Sequence, residues 1–258
     1  MSPIVFINCI FIIFNELLLL ELSNFPVMKT VVMTLRRRVA LELGILVLLA
    51  TTFLLFLPQR NPWLDVALGG FALLCIGATG RYTRNVIWAA FPPVQADNRF
   101  KACVRVTLWL TVPTVAIFLL IGGIVAYHDA GWPAVIERVW NWKIVAVFIP
   151  YIGWAFIQQT LFQFYLLGRL LALFPKNQPT WPILITGVGF SLVHLPDVWT
   201  CLVTAIAGPM WTFIYYRYRC LLPIAVSHAA LGTAFYFGIC GHNLAQEWES
   251  AAAALRLQ

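Results

Sequence analysis

Charged side chains are scarce in this chain. Asp, Glu, Lys and Arg make up 10% of the 258 residues, and apolar residues make up 61%, against about 25% and about 45–50% in soluble domains. A soluble fold cannot bury that much apolar surface. The chain also lacks the alternating segments of about 10 residues that a membrane β-barrel requires. We therefore predict an all-α integral membrane protein.

Long apolar stretches predict a polytopic bundle of about seven transmembrane helices, or eight if the first stretch also spans. A spanning helix needs about 20 apolar residues to cross ~30 Å of hydrocarbon. We place the helices near residues 39–57, 64–80, 104–126, 142–170, 181–196, 198–216 and 221–239. The broadest break is the connection at 127–141.

The chain divides into four predicted segments, which are an apolar extension at 1–32, a helix group at 33–140, a core with polar positions at 141–240 and a tail at 241–258. The extension has no basic leader and no small-residue cleavage site, although its apolar run also fits an extra helix or a signal sequence. Met33, which is followed by three arginines, resembles a natural translation start before a first helix. We expect the extension to carry little function.

Basic residues give the chain a formal charge of +7 but lie in short connections between apolar stretches. This distribution argues against a nucleic-acid partner. It follows the positive-inside rule instead. The predicted cytoplasmic residues are Arg36, Arg37, Arg38, Arg81, Arg84, Arg99, Lys101, Arg105, Arg169, Lys176, Arg217 and Arg219, and the predicted external ones are Arg60, Arg138, Lys143 and Arg256. We expect the protein to lie in the cytoplasmic membrane of a bacterium.

Cysteine and histidine spacing gives no sign of a metal or cofactor site. The six cysteines form no CxxC pair, and several lie in predicted spans, where cysteine acts as a small apolar residue. No HExxH motif is present, and two histidines with amides make a weak zinc ligand set. A triad of Ser191, His228 and Asp197 is a weaker alternative, because no nucleophile elbow accompanies it. We expect Asp197 to lie at a helix end instead.

Five polar side chains interrupt the apolar helices of the core, namely Gln158, Gln159, Gln163, His194 and His228. Polar groups in spanning helices are costly and usually face the bundle interior. Residues four apart share a helix face, so Gln159 and Gln163 point together, and we expect Gln159, His194 and His228 at similar depth. Each one alone fits interhelical hydrogen bonding worth roughly 1 kcal/mol. As a set they favour a functional site, in which Ser191 is a candidate for orienting His194.

The same positions follow a recognisable order of motifs. Gln158-Gln159-Thr160-Leu161-Phe162-Gln163 aligns with Glu-Glu-x-x-x-Arg, Phe190 to His194 matches Phe-x-x-x-His, and His228 follows a Leu-Leu-Pro run. This order resembles the CAAX protease and bacteriocin-processing enzyme family of intramembrane proteases, which includes CAAX prenyl protease 2. The resemblance covers about residues 145–238. Glutamine replaces the acidic and basic positions of the first motif, and Gly232 stands where the family has Asn or Asp.

The resemblance implies an intramembrane endopeptidase that hydrolyses a membrane-proximal peptide bond without a metal or other cofactor. It implies catalytic roles for Gln158, Gln159, Gln163, His194 and His228, and a membrane-associated peptide or lipidated protein as substrate within membrane lipid. An amide cannot serve as a general base near neutral pH, so a neutral histidine would have to take that role. The alternative is a catalytically inactive pseudoprotease that binds a membrane peptide or lipidated tail. A transporter would require repeated halves with broken helices, which we do not find.

Overall fold

The computed structural model describes residues 98–242 without a gap, together with Phe91 and positions 37, 39, 40, 42–44, 70 and 74. These residues form helices and turns with no strand, so the predicted all-α membrane bundle is confirmed. The extension at 1–32, nearly all of the spans predicted at 39–57 and 64–80, and the tail after residue 242 lie outside the described residues.

The described helices follow one another with short connections. They are α1 (Arg99–Ala130), α2 (Trp132–Val139), α3 (Trp142–Gln159), the π-helix π1 (Thr160–Leu166), α4 (Leu167–Leu173), α5 (Thr180–Leu192), α6 (Val198–Tyr218), α7 (Leu221–Ala234) and the π-helix π2 (Phe235–Cys240). Within the described residues, four stretches are long and apolar enough to cross a membrane, namely Arg99–Ala130, Trp132–Leu173, Val198–Tyr218 and Leu221–Cys240. They correspond to the spans predicted at 104–126, 142–170, 198–216 and 221–239.

The helix predicted at 181–196 is shorter than expected. α5 ends at Leu192 after 13 residues, which at 1.5 Å per residue covers about 20 Å and falls short of a full crossing. Pro196 disfavours a helical backbone at the residue before it. Asp197 then starts α6, because its carboxylate accepts hydrogen bonds from the backbone N–H groups of Trp199 and Thr200. The expectation that Asp197 is a helix-end residue is confirmed.

A short helix occupies the connection that the sequence predicted between the two helix groups. Gly131 has a φ of 74° and turns the chain from α1 into α2. Arg138 of α2 donates from Nε to the carbonyl of Gly238 at 2.9 Å and from Nη2 to the carbonyl of Ile239 at 2.7 Å. These bonds fix α2 against π2 and satisfy carbonyls near the end of π2.

Small residues bring α5 and α6 into backbone contact. A Cβ atom added at Gly187 would lie 2.4 Å from the backbone nitrogen of Pro209, and one added at Gly208 would lie 2.6 Å from the carbonyl oxygen of Gly187. With no side chain, these two glycines let the helices approach closely. Phe190 on α5 and Trp211 on α6 are both buried, and their rings contact edge-to-face at 5.8 Å. The packing therefore fixes the helix that carries Phe190 and leads into His194.

Candidate functional site

Gln159 and His228 are joined directly. Gln159 ends α3, has no exposed surface, and its side-chain nitrogen lies 3.2 Å from Nδ1 of His228 on α7. The amide nitrogen can only donate, so Nδ1 of the imidazole accepts. A neutral His228 ring then carries its proton on Nε2, which makes Nε2 a hydrogen-bond donor.

His194 adopts the opposite arrangement. It lies in the turn after α5 rather than inside a helix, so the prediction that all five polar residues are helical is wrong for this one. Because α5 stops at Leu192, His194 folds back, and its Nδ1 lies 2.8 Å from the carbonyl oxygen of Phe190. A carbonyl can only accept, so Nδ1 carries the proton and Nε2 of the neutral ring is an acceptor.

Phe190 brings the two histidines together. Its ring centroid is 5.0 Å from that of His194 and 5.3 Å from that of His228, and both contacts are edge-to-face. The Trp211 ring also contacts His228, with ring centroids 4.9 Å apart and an interplanar angle of 35°, and the centroid of the Tyr151 ring is 5.8 Å from that of His228. Both imidazoles are almost fully buried. The site therefore presents one donor and one acceptor nitrogen within an apolar, aromatic enclosure.

The remaining glutamines have buried polar atoms that lack hydrogen bonds within the described residues. Gln163 lies in π1 with no exposed surface, and neither its Oε1 nor its Nε2 has a partner there. Oε1 of Gln158 and Oε1 of Gln159 are likewise buried without a hydrogen-bond partner in the described residues. An unsatisfied buried polar group costs roughly 1–3 kcal/mol. These amide atoms are thus suited to hold a water or a peptide group, and π-helical turns such as π1 are frequent at functional sites.

The structure joins only part of the predicted set. Gln159 bonds to His228, and His194 reaches the same place through Phe190, whereas no hydrogen bond within the described residues connects Gln163 to either histidine. Ser191 does not orient His194. Its hydroxyl donates to the carbonyl of Cys201 on α6 at 2.6 Å, because α5 and α6 pack so closely there.

A buried polar chain behind His228 was missed by sequence reasoning. Oγ of Ser227 lies 2.6 Å from Oγ1 of Thr111 on α1 and accepts a hydrogen bond of 3.1 Å from Nε1 of Trp211. Trp211 in turn lies against His228. These polar contacts connect α1, α6 and α7 beside the imidazole. Ser227, a polar residue next to His228 in an apolar helix, was the sequence signal for it.

Arg169 is buried in α4 rather than exposed in a connection between helices. Only 1% of its side chain is exposed, and its Nη2 lies 3.2 Å from Oε1 of Glu42. Its guanidinium carbon is 3.8 Å from the centroid of the Tyr165 ring, and the Tyr165 hydroxyl donates to the same carboxylate. The ion pair connects Glu42, from the N-terminal helix group, to α4, and the Tyr165 bond connects it to π1, which carries Gln163.

The alternative chemistries find no assembled site in the described residues. Ser191 bonds to Cys201 and Asp197 caps α6, so these two are committed elsewhere rather than to His228. Across the part of the chain that the structure describes, no three His, Cys, Asp or Glu side chains converge in the way that a metal site requires.

Comparison with known proteins agrees with the motif order. Residues 140–234 match the family model described as Type II CAAX prenyl endopeptidase Rce1-like. The match runs from the start of α3 to the end of α7 and contains all five predicted site residues. The predicted resemblance is thereby confirmed over this part of the chain. No curated protein and no solved structure matches the chain.

Proposed function

Since residues 140–234 match the Type II CAAX prenyl endopeptidase Rce1-like family, we propose that the protein is an intramembrane endopeptidase that hydrolyses a membrane-proximal peptide bond. One observation carries the proposal. His194 presents an acceptor nitrogen and His228 a donor nitrogen, and both rings pack against Phe190 inside an apolar bundle. Peptide hydrolysis needs a base for water and a donor for the carbonyl oxygen.

The two nitrogens divide the reaction between them. Nε2 of His194 takes a proton from water as the water oxygen bonds to the carbonyl carbon, and the carbonyl π electrons move onto its oxygen. The Nε2–H group of His228 stabilises that oxyanion. The tetrahedral intermediate then collapses, the C–N bond breaks, and the proton held by His194 passes to the leaving nitrogen. The enzyme returns to its starting protonation.

The glutamines support this chemistry without driving it. The Gln159 hydrogen bond holds His228 in the tautomer that donates from Nε2. The buried amide atoms of Gln158 and Gln163 orient water or the substrate backbone. Because an amide has no useful basicity, the general-base contribution, roughly 10²- to 10⁴-fold, comes from His194 and not from the glutamines.

The membrane setting supports a membrane-associated substrate. The imidazoles are buried among helices long enough to span a bilayer, so a peptide reaches them only from the membrane or its surface. A membrane-associated peptide or a lipidated protein tail has that access, because the lipid holds it at the bilayer.

The experiment is a cleavage assay with purified protein in lipid bilayers. Peptides with an S-prenylated cysteine followed by aliphatic residues, and unprenylated membrane-proximal peptides, are incubated with wild type, His194→Ala and His228→Ala, and the products are identified by mass spectrometry. His128→Ala is the matched control, because His128 is exposed at the end of α1. Product formed by wild type and the control alone supports the proposal. Product that persists in both site variants contradicts it.

A second candidate is a pseudoprotease that binds a membrane peptide or lipidated tail without cutting it. The observation that favours it is the replacement of every charged position of the first motif by glutamine at Gln158, Gln159 and Gln163. Buried amides that lack hydrogen bonds suit recognition of a peptide backbone. Histidine-dependent binding of the same peptides, with no product after prolonged incubation, would establish this function and exclude the first.

A further inference from the structure

Gly232 leaves a space on α7 that Tyr151 of α3 fills. A Cβ atom added at Gly232 would lie 2.7 Å from Cε1, 3.0 Å from the hydroxyl oxygen and 3.2 Å from Cζ of Tyr151. Carbon atoms in contact prefer separations of about 3.5–4.0 Å. No larger side chain therefore fits at position 232 while the phenol keeps its place, and the tyrosine hydroxyl lies where such a side chain would begin.

The space belongs to the same face of α7 as His228. Positions 228 and 232 are four apart, so their Cβ directions point to one side of the helix, one turn from each other. The Tyr151 ring contacts the His228 ring edge-to-face at 5.8 Å. The phenol thus extends along α7 from the imidazole to the position of Gly232, which sets its hydroxyl one helical turn beyond His228.

A phenol hydroxyl at this place has suitable chemistry. It donates a hydrogen bond while remaining neutral, because its ordinary pKa is about 10. The family resembled by this sequence has Asn or Asp at the position of Gly232, and the amide nitrogen of Asn is likewise a neutral donor. The phenol comes from α3 and the amide would come from α7, but each offers a neutral hydrogen-bond donor beside His228.

We propose that Tyr151 supplies the second hydrogen-bond donor of the site, so that its hydroxyl and Nε2–H of His228 together bind the carbonyl oxygen of the scissile peptide. This assignment rests on the proposed endopeptidase function. It also explains a glycine at position 232, because the donor comes from α3 and a side chain on α7 would displace it. The substitution of one donor by another keeps the site neutral.

The test measures kcat and KM of wild type, Tyr151→Phe and Tyr127→Phe on a peptide that wild type cleaves in the assay described above. Tyr151→Phe keeps the ring and removes only the hydroxyl, and loss of one oxyanion donor lowers kcat about 10²- to 10³-fold. Since the donor acts on the transition state, KM changes little. Tyr127, which is 51% exposed on α1, controls for hydroxyl removal itself.

A double variant tests the exchange of donors. Gly232→Asn alone is expected to be unstable because it collides with Tyr151, whereas Tyr151→Ala/Gly232→Asn has room for the amide, folds, and cleaves faster than Tyr151→Ala. The assignment is overturned if Tyr151→Phe has an unchanged kcat, or if Gly232→Asn is as stable as Tyr151→Ala/Gly232→Asn. Either result leaves the endopeptidase proposal standing. A wild type that cleaves no peptide overturns the endopeptidase proposal and this assignment with it.

Discussion

Gly187→Ala is expected to separate α5 from α6. The added methyl group would lie 2.4 Å from the backbone nitrogen of Pro209 and 2.5 Å from its Cδ, against about 3.5 Å for an ordinary contact. The obstructing atoms belong to backbone and a proline ring, so no flexible side chain can yield. The helices must move apart by about 1 Å, and overpacking of this kind costs roughly 1–3 kcal/mol.

The displacement reaches the site because His194 lies in the turn that ends α5. A misplacement of about 1 Å can lower an enzymatic rate by roughly 10²-fold. The assay is thermal unfolding in detergent, followed by the cleavage rate of the fraction that remains folded. Gly153→Ala on α3 is the matched control, since nothing lies within 4 Å of the added methyl group. If Gly187→Ala unfolds and cleaves like Gly153→Ala, the backbone contact between α5 and α6 is refuted.

Three further changes follow from the same contacts. Gln159→Leu removes the amide that holds His228 in the Nε2–H tautomer, so we expect kcat to fall, by up to the roughly 10²- to 10³-fold cost of a lost oxyanion donor; an unchanged kcat would contradict this role of Gln159. Arg169→Ala removes the ion-pair partner of Glu42, whose side chain is 18% exposed, and lowers the free energy of unfolding by about 1.5–3 kcal/mol, the range for a hydrogen bond to a charged group. Denaturation in detergent measures the loss, and a value below about 1 kcal/mol, as for an exposed pair, would contradict this role. Arg138→Ala removes two charge-assisted hydrogen bonds to π2 carbonyls, each worth about 1.5–3 kcal/mol. We therefore expect amide hydrogen exchange to accelerate in π2, and unchanged exchange there would exclude the anchoring role of α2.

The helical class was predictable because apolar length alone decides it. Runs of about 20 apolar residues placed α1, the continuous stretch α3–π1–α4, α6 and the stretch α7–π2 within five residues of their observed bounds. The end of α5 was not placed, because the apolar run continues through Leu195 and composition cannot show where a helix stops. The stop depends on local backbone preference at Pro196 and on the capping carboxylate of Asp197.

The members of the site were predictable as a set, and their connections were not. Polar residues in apolar helices are energetically costly in the membrane and therefore indicate a site, and Gln159 and His228 were predicted for this reason. Their hydrogen bond depends on how α3 and α7 pack, and one sequence does not contain that information. Tyr151 escaped notice for the same reason, because its relation to Gly232 exists only across the helix interface.

The central claim is that His194 activates a water that hydrolyses a peptide bond. It is tested most directly by cleaving one peptide in ¹⁸O-labelled water and weighing the new carboxyl terminus by mass spectrometry. Our account predicts one ¹⁸O atom in the product of wild type and loss of that product in His194→Ala. Absence of any labelled product from wild type, or labelled product formed at the same rate by His194→Ala, would contradict it.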